Sequence, residues 1–137
     1  MPILAIDYGD KKVGLAISDN KERLALPLTI LQNQGNKNLV QQIKKVCAQH
    51  NVNKLVVGIP LTLASVEKNY KNKQTQKVLK FIKLLEKAVK IKVITEDERM
   101  STKMANGLHS KEIKIKGEDD AVAASLILQS YLDKLNN

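Results

Sequence analysis

The sequence predicts an α/β fold in which helices cover both faces of a mixed five-stranded sheet. Three short apolar runs within the first 31 residues, separated by turn residues, are typical of an antiparallel meander. Two later apolar runs each follow a segment with helical spacing, and such crossover connections add parallel strands. The 137 residues, of which 43% are hydrophobic, suit a single domain over residues 1–137.

The meander is predicted over residues 3–8, 13–18 and 24–31. Gly9-Asp10-Lys11-Lys12 joins the first two strands as a hairpin turn, in which Gly9 permits a tight bend. Gly14 serves either this turn or a close approach of backbone or substrate. Pro27 cannot donate a ladder hydrogen bond, so the third strand is expected at the edge of the sheet or beside a bulge.

Residues 37–50 predict an amphipathic helix, because the apolar residues of this segment share one stripe. Cys47 lies on that stripe and, as the single cysteine, cannot form an internal disulfide; we interpret it as a buried core thiol. His50 and His109 are far apart and have no thiol nearby, which excludes a typical zinc spacing.

The rest of the chain predicts further strands, helices and a basic loop. They cover residues 54–59 (strand), 67–89 (helix), 91–96 (strand), 101–108 (short helix), 109–117 (basic loop) and 118–135 (helix).

The net charge favours an anionic partner such as nucleic acid or a membrane surface, since it is +9 at pH 7. Compositional bias is an alternative, because 21 of the 23 basic residues are lysine, and the 3% aromatic content predicts no base-stacking platform. The helix over residues 67–89 carries lysines on its outer side, a pattern that fits either a solvated face or one that binds nucleic acid. These are Lys73, Lys77, Lys80, Lys83 and Lys87.

Membrane insertion and secretion are not expected. No apolar run approaches the roughly 18 to 20 residues of a membrane span, and MPILAIDYGD lacks the basic start and apolar stretch of a signal peptide. We therefore expect a cytoplasmic protein.

Three acidic positions are placed unusually. Asp7 ends the first strand on the same face as the apolar Ile3 and Ala5, where an unpaired carboxylate is costly. Asp120 lies on the inner stripe of the last helix, with Ala124 and Ile127, and is expected to point toward the same end of the sheet.

The third acidic position is a cluster, Glu96-Asp97-Glu98, where the fifth strand runs out. Open α/β sheets usually place ligands at such strand ends, although a solvated turn with capping acids is an equal alternative. Carboxylates gathered from separate elements repel one another unless a hard cation neutralises them, which predicts Mg²⁺ or Mn²⁺. Such ions serve phosphodiester hydrolysis, and nearby lysines would hold the flanking phosphates.

Four motifs follow one another along essentially the whole chain. They are DYGDKKVGLAISD (7–19), VVGIPL (56–61), DERMST (97–102) and DAVAASLILQSYLD (120–133). In combination and order they resemble the YqgF family, also called RuvX, whose members have an RNase H-like fold. Lys12 and Met100 depart from the arginine and leucine usual in that family.

The resemblance implies a bacterial cytoplasmic nuclease that processes the 5′ end of precursor 16S ribosomal RNA, with Holliday junction resolution as the alternative. It also implies that the catalytic, metal-binding acids are Asp7, Glu98 and Asp120. The choice of Glu98 over Glu96 or Asp97 rests on the resemblance alone.

Other functional expectations stay open. Lys11 and Lys12 are candidate phosphate contacts, and Arg99 could contact a phosphate or pair with an acid. Partners would be precursor ribosomal RNA or branched DNA, and the small ribosomal subunit. The chain is expected to be a monomer or a homodimer, and a resolvase that cuts two strands symmetrically would act as a dimer.

Two rival functions use the same features. A sugar-kinase or actin-like ATPase also has a strand, a D-x-G sequence and a hairpin, but needs two such domains around its nucleotide. A non-catalytic RNA- or ribosome-binding module would keep the basic surface without using the acids. A serine hydrolase is disfavoured because Ser18 and Ser101 have no suitable histidine nearby.

Overall fold

The structure, a computed structural model, describes residues 1–59, 73–97 and 119–137. These residues form five strands and three helices: β1 (Ile3–Asp7), β2 (Lys12–Ser18), β3 (Ala25–Gln32), α1 (Asn36–His50), β4 (Lys54–Ile59), α2 (Lys73–Ala88), β5 (Lys92–Asp97) and α3 (Asp119–Leu135). The predicted short helix over residues 101–108 and the basic loop over 109–117 lie outside the described residues, as do residues 67–72 of the predicted long helix.

The five strands form one mixed sheet in the order β3-β2-β1-β4-β5. β1 pairs antiparallel with β2, and β2 with β3, whereas β1, β4 and β5 run parallel. This confirms the predicted meander extended by parallel strands. The expectation for Pro27 is also confirmed, since β3 is an edge strand and its register with β2 shifts between Leu15 and Ala16, the residue paired with Pro27.

Helices cover both faces, as predicted, because successive side chains of a strand point to opposite faces. Leu4 and Ile6 of β1 belong to a core cluster with buried residues of α1 and α2, among them Phe81. Ile3 and Ala5 belong to a second cluster with buried residues of α3. Among the described residues, the sheet is therefore covered by α1 and α2 on one face and by α3 on the other.

Cys47 is buried on the inner side of α1, in agreement with the interpretation as a core thiol. Burial raises the pKa of its thiol to about 11, because the charged thiolate is disfavoured away from water. Across the described ranges, no helix combines the length and apolar character needed to cross a membrane.

Candidate active site

Asp7 is the last residue of β1, at the end of the sheet where the parallel strands β1, β4 and β5 finish. We call this the carboxyl end of the sheet. Ile3 and Ala5 face α3, so the two-residue period places the half-buried side chain of Asp7 on the α3 face as well. This is the placement that the sequence predicts.

Gly14 connects Asp7 to the last helix. It is the ladder partner of Asp7 on β2, and cross-strand partners lie on the same face of a sheet. A Cβ at Gly14 would overlap the carbonyl group of Asp120 and approach the amide nitrogen of Ala121 to 2.8 Å. The first turn of α3 therefore rests directly on the backbone of β2, next to Asp7.

Asp120 is thus brought to the same face and the same end of the sheet as Asp7. It is half-buried in the first turn of α3, where the helix dipole stabilises a carboxylate. Ala124 and Ile127, which share its predicted stripe, are buried against the sheet. The close approach at Gly14 was one of the two roles considered for that glycine, and the structure shows it in the middle of β2 rather than in the turn.

Glu96 has different surroundings from the two aspartates. Its side chain is only 6% exposed and accepts hydrogen bonds from Lys134 Nζ at 2.7 and 3.1 Å and from Ser130 Oγ at 3.3 Å. Ser130 lies ten residues beyond Asp120, which corresponds to about 15 Å along a helix. Glu96 is therefore held by the second half of α3, and its carboxylate is already neutralised by a lysine.

Glu98 lies outside the described residues, and for Asp97 only the backbone, as the end of β5, is described. Within residues 1–59, 73–97 and 119–137, no three Asp, Glu, His or Cys side chains are grouped closely enough to hold a metal ion. Asp7 and Asp120 would therefore need at least one further ligand from elsewhere in the chain, from water or from substrate.

The β1–β2 turn, which follows Asp7, is stabilised by two hydrogen bonds from Asn33. The Asn33 side-chain amide donates to the Gly9 carbonyl oxygen at 2.7 Å, and its backbone N–H donates to the Lys11 carbonyl oxygen at 2.9 Å. A Cβ at Gly9 would overlap the Lys12 carbonyl oxygen, so the turn requires glycine there. Asn33 thus holds both sides of a tight turn.

The helices of the α1–α2 layer reach the same turn. Tyr8 donates from its hydroxyl to Asn36 Oδ1 of α1 at 2.9 Å, and its ring packs on Phe81 of α2 with centroids 4.8 Å apart. Asp10 pairs with Lys77 of α2 at 3.1 Å. The sequence pattern does not predict these contacts, and only that of Tyr8 with Asn36 falls in a stretch, residues 33–38, whose polar character stands out.

The remaining candidate residues are placed as follows. Lys11, in the β1–β2 turn, and Lys12, the first residue of β2, are both exposed, near the end of β1 that carries Asp7. Ser18 is buried and accepts a hydrogen bond from the Ile3 N–H at 2.8 Å, which is a structural role. Arg99, Ser101 and His109 lie outside the described residues.

The sequence of the chain matches one protein-family model and proteins of known sequence. A family model described as "RuvX: Holliday junction resolvase" matches residues 1–134. A Rickettsia bellii protein named "Putative pre-16S rRNA nuclease" is 35% identical over 139 residues, which cover 98% of this chain and 88% of that protein. A Rickettsia conorii protein of the same name is 34% identical and covers all of this chain and 89% of its own length.

Solved structures give the same fold at lower identity. Thermus thermophilus RuvC in complex with a Holliday junction substrate superposes with a TM-score of 0.59 at 14% identity, over 100% of this chain and 97% of that one. Fowlpox virus resolvase with its Holliday junction DNA gives 0.57 at 18% identity over 100% of both chains. At this identity the likeness shows the shared RNase H-like fold.

Proposed function

The chain belongs to the RuvX family of Holliday junction resolvases, and we propose that it is a metal-dependent endonuclease in which Asp7 and Asp120 hold the metal. The observation that carries this proposal is the seating of the first turn of α3 on Gly14, the ladder partner of Asp7. Two carboxylates from distant parts of the chain are thereby gathered at one end of the sheet. Membership of a nuclease family argues against the alternative function as a sugar-kinase or actin-like ATPase.

The residues present fit a divalent cation. Both aspartates are half-buried, and hard cations such as Mg²⁺ and Mn²⁺ prefer carboxylate oxygens. When bound, the ion would polarise the scissile phosphate and lower the pKa of a bound water. Glu98, by its resemblance to the family motif, is the proposed third ligand. Glu96 is not, since Lys134 and Ser130 occupy its carboxylate.

The chain's own residues would orient the substrate beside these acids. Lys11 and Lys12 extend from a turn that Asn33 fixes on both sides, so their ammonium groups can meet phosphates flanking the cleaved bond. Arg99 is proposed as a further phosphate contact.

The proposed substrate is the 5′ region of precursor 16S ribosomal RNA, in the cytoplasm, as the names of the Rickettsia relatives suggest. The alternative is the Holliday junction, which the family description names. Cleavage of both substrates, measured alongside the oligomeric state, separates the two, because symmetric junction cutting requires two active sites.

The test compares wild type with Asp7→Asn and Asp120→Asn on both substrates, with Mg²⁺, with Mn²⁺ and with a chelator. Asp133→Asn is the matched control, since Asp133 is an exposed acid on the same helix. We expect the first two variants to lose cleavage and keep nucleic-acid binding, and the control to cleave normally. Cleavage retained by both variants would reject the site.

The same experiment tests the non-catalytic alternative. If wild type leaves precursor RNA and junction DNA intact with either metal, and does not differ from Asp7→Asn, the protein is a binding module.

A further inference from the structure

The outward side of α2 is a lysine stripe formed by Lys73, Lys77, Lys80, Lys83 and Lys87, all of which are exposed. At about 100° per residue these positions fall within roughly 120° of the helix circumference. The buried residues of α2, which include Val78, Phe81 and Leu85, lie on the other side. We call these five residues the α2 lysine face.

The charge of the α2 lysine face is not balanced by acids of its own helix. Glu86 is the single acidic residue of α2, and the helical period places it at the border of the lysine stripe rather than within it. A solvated helix surface usually intersperses both signs of charge, with acids three or four residues from lysines. On the α2 lysine face this pattern occurs once, with Glu86 three residues after Lys83, and the other four lysines have no acid of α2 at that spacing.

The lysine face begins at the candidate active site. Lys77, in the second turn of α2, pairs with Asp10 at 3.1 Å. Asp10 belongs to the β1–β2 turn, three residues after Asp7 and directly before the exposed Lys11 and Lys12. A strand whose scissile phosphate lies at Asp7 could therefore pass Lys11 and Lys12 and continue along α2.

We propose that the α2 lysine face binds the phosphate backbone of the RNA strand that continues beyond the cleaved bond. This inference rests on the proposed function, since it takes Asp7 as the point of cleavage. From Lys73 to Lys87 the face extends about 21 Å along the helix, enough for several successive phosphates. Flexible, strongly hydrated ammonium groups suit sequence-independent backbone contacts.

Asp10 competes with RNA for Lys77. Both partners of the pair are about half exposed, so the pair adds little to stability, and a phosphate can replace the carboxylate. Removal of either partner breaks the same ion pair but has opposite consequences for RNA. Asp10→Asn frees Lys77 for phosphate, whereas Lys77→Gln removes the cation.

The first test measures binding of these two variants to a fluorescently labelled single-stranded RNA, in a chelator so that no cleavage occurs. We expect Asp10→Asn to bind about twofold tighter and Lys77→Gln about threefold weaker, as for an exposed charge pair. Asp133→Asn and Lys21→Gln make the same charge changes at the opposite end of the sheet and should change affinity less. A change in the same direction for Asp10→Asn and Lys77→Gln would mean that the pair only fixes the turn, and would overturn the proposal.

The second test neutralises the half of the face nearest Asp7, in the variant Lys73→Gln/Lys77→Gln/Lys80→Gln. Its control, Lys21→Gln/Lys90→Gln/Lys92→Gln, removes three exposed lysines away from the carboxyl end of the sheet. We expect the α2 variant to lower the slope of log affinity against log salt by about 2, since each single-strand phosphate contact contributes about 0.7. Equal losses in both triple variants would show a net-charge effect and overturn the proposal.

These binding experiments can reject the α2 lysine face independently of the proposed nuclease function. If wild type does not cleave but the α2 variant still loses RNA affinity relative to its control, the surface stands and the nuclease proposal fails. If wild type cleaves and the α2 variant matches its control in RNA binding, the nuclease proposal stands and RNA binding by the α2 lysine face is rejected. Stronger loss of binding to anionic lipid vesicles than to RNA would reassign the face to membranes and overturn the proposal.

Discussion

The two faces of the sheet differ in the size of the side chains that pack beneath the helices. On the α3 face, the buried cluster includes three alanines, Ala5, Ala16 and Ala124, and the helix comes close enough to touch the backbone of Gly14. On the α1–α2 face, the buried cluster of described residues contains Phe81 and Cys47 with leucine, isoleucine and valine, and no alanine. Small side chains allow α3 to lie close to the sheet, which brings Asp120 to the end of the sheet where Asp7 lies, whereas on the other face α2 carries its lysines outward.

If both proposals hold, catalysis and RNA binding are carried by separate layers of the molecule. The α3 face presents the acids, and the opposite layer presents the α2 lysine face beside the same turn. Substitutions on the α3 face should therefore alter cleavage at unchanged RNA affinity, and those on α2 should alter affinity. The following variants test or refine this separation.

The largest effect is expected for Gly14→Ala. The added methyl group overlaps the backbone of Asp120, so α3 must shift, at a cost of about 1–3 kcal/mol in unfolding free energy. Because Asp120 moves with it, cleavage per folded molecule should fall by about a hundredfold or more, since misplacement by about 1 Å can cost that much.

Leu132→Ala is the control for Gly14→Ala. Leu132 is fully buried on the same helix, far from Gly14, and its truncation costs about 2–5 kcal/mol. Chemical denaturation and cleavage are measured on both variants. Equal specific cleavage by the two would contradict the role given to the contact at Gly14.

A smaller effect, confined to stability, is expected at the ion pair of the buried Glu96 with the exposed Lys134. Lys134→Met leaves the Glu96 carboxylate buried without its cation and should destabilise the protein by about 1–3 kcal/mol. Glu96→Gln should destabilise it less, because Lys134 is 57% exposed and returns to water. Cleavage should survive both changes, and its loss in Glu96→Gln would make Glu96 a metal ligand after all.

Asn33→Ala should have a modest effect on the turn that both layers share. Loss of its side-chain bond to the Gly9 carbonyl removes about 1 kcal/mol of stability, and the loosened turn should lower cleavage several-fold. Asn53→Ala, at an exposed position directly before β4, is the matched control. Thermal unfolding measures the loss of stability, and single-turnover kinetics measure the loss of cleavage. Unchanged cleavage would restrict Asn33 to a folding role.

The smallest effect concerns Cys47, on the α1–α2 face. Its pKa, raised by burial to about 11 from 9.0, means that the folded state retains its proton longer than the unfolded state. The contribution of the buried thiol to stability is therefore complete below pH 9 and declines as the pH rises toward 11. Native protein at pH 8 should resist alkylation that unfolded protein undergoes, and rapid native alkylation would contradict the burial.

Much of the fold follows from local patterns. The strands predicted over residues 13–18 and 91–96 are observed as Lys12–Ser18 and Lys92–Asp97, because apolar alternation and turn residues are local signals. Asp7 and Asp120 could be placed on one face because the strand and helix periods fix side-chain directions.

Other features could not be read from the sequence. The pairing of Glu96 with Lys134 joins residues 38 apart, and the clamp of Asn33 on Gly9 joins residues 24 apart. The first contact depends on how α3 crosses the sheet, and the second depends on where the chain leaves β3. Side-chain periodicity specifies neither. For the same reason the sequence left Glu96 open as a metal ligand, and its contacts with α3 argue against it.

The most direct test of the account is Mn²⁺ binding by the intact chain, measured by electron paramagnetic resonance of the free ion. Wild type, Asp7→Asn, Asp120→Asn and Asp133→Asn are titrated in parallel, together with the α2 triple variant and its triple-lysine control. We expect Asp7→Asn and Asp120→Asn each to weaken Mn²⁺ binding at least about tenfold, while Asp133→Asn and the lysine variants bind like wild type. Undiminished Mn²⁺ binding in both aspartate variants would contradict the claim that α3 completes a metal site at the end of β1.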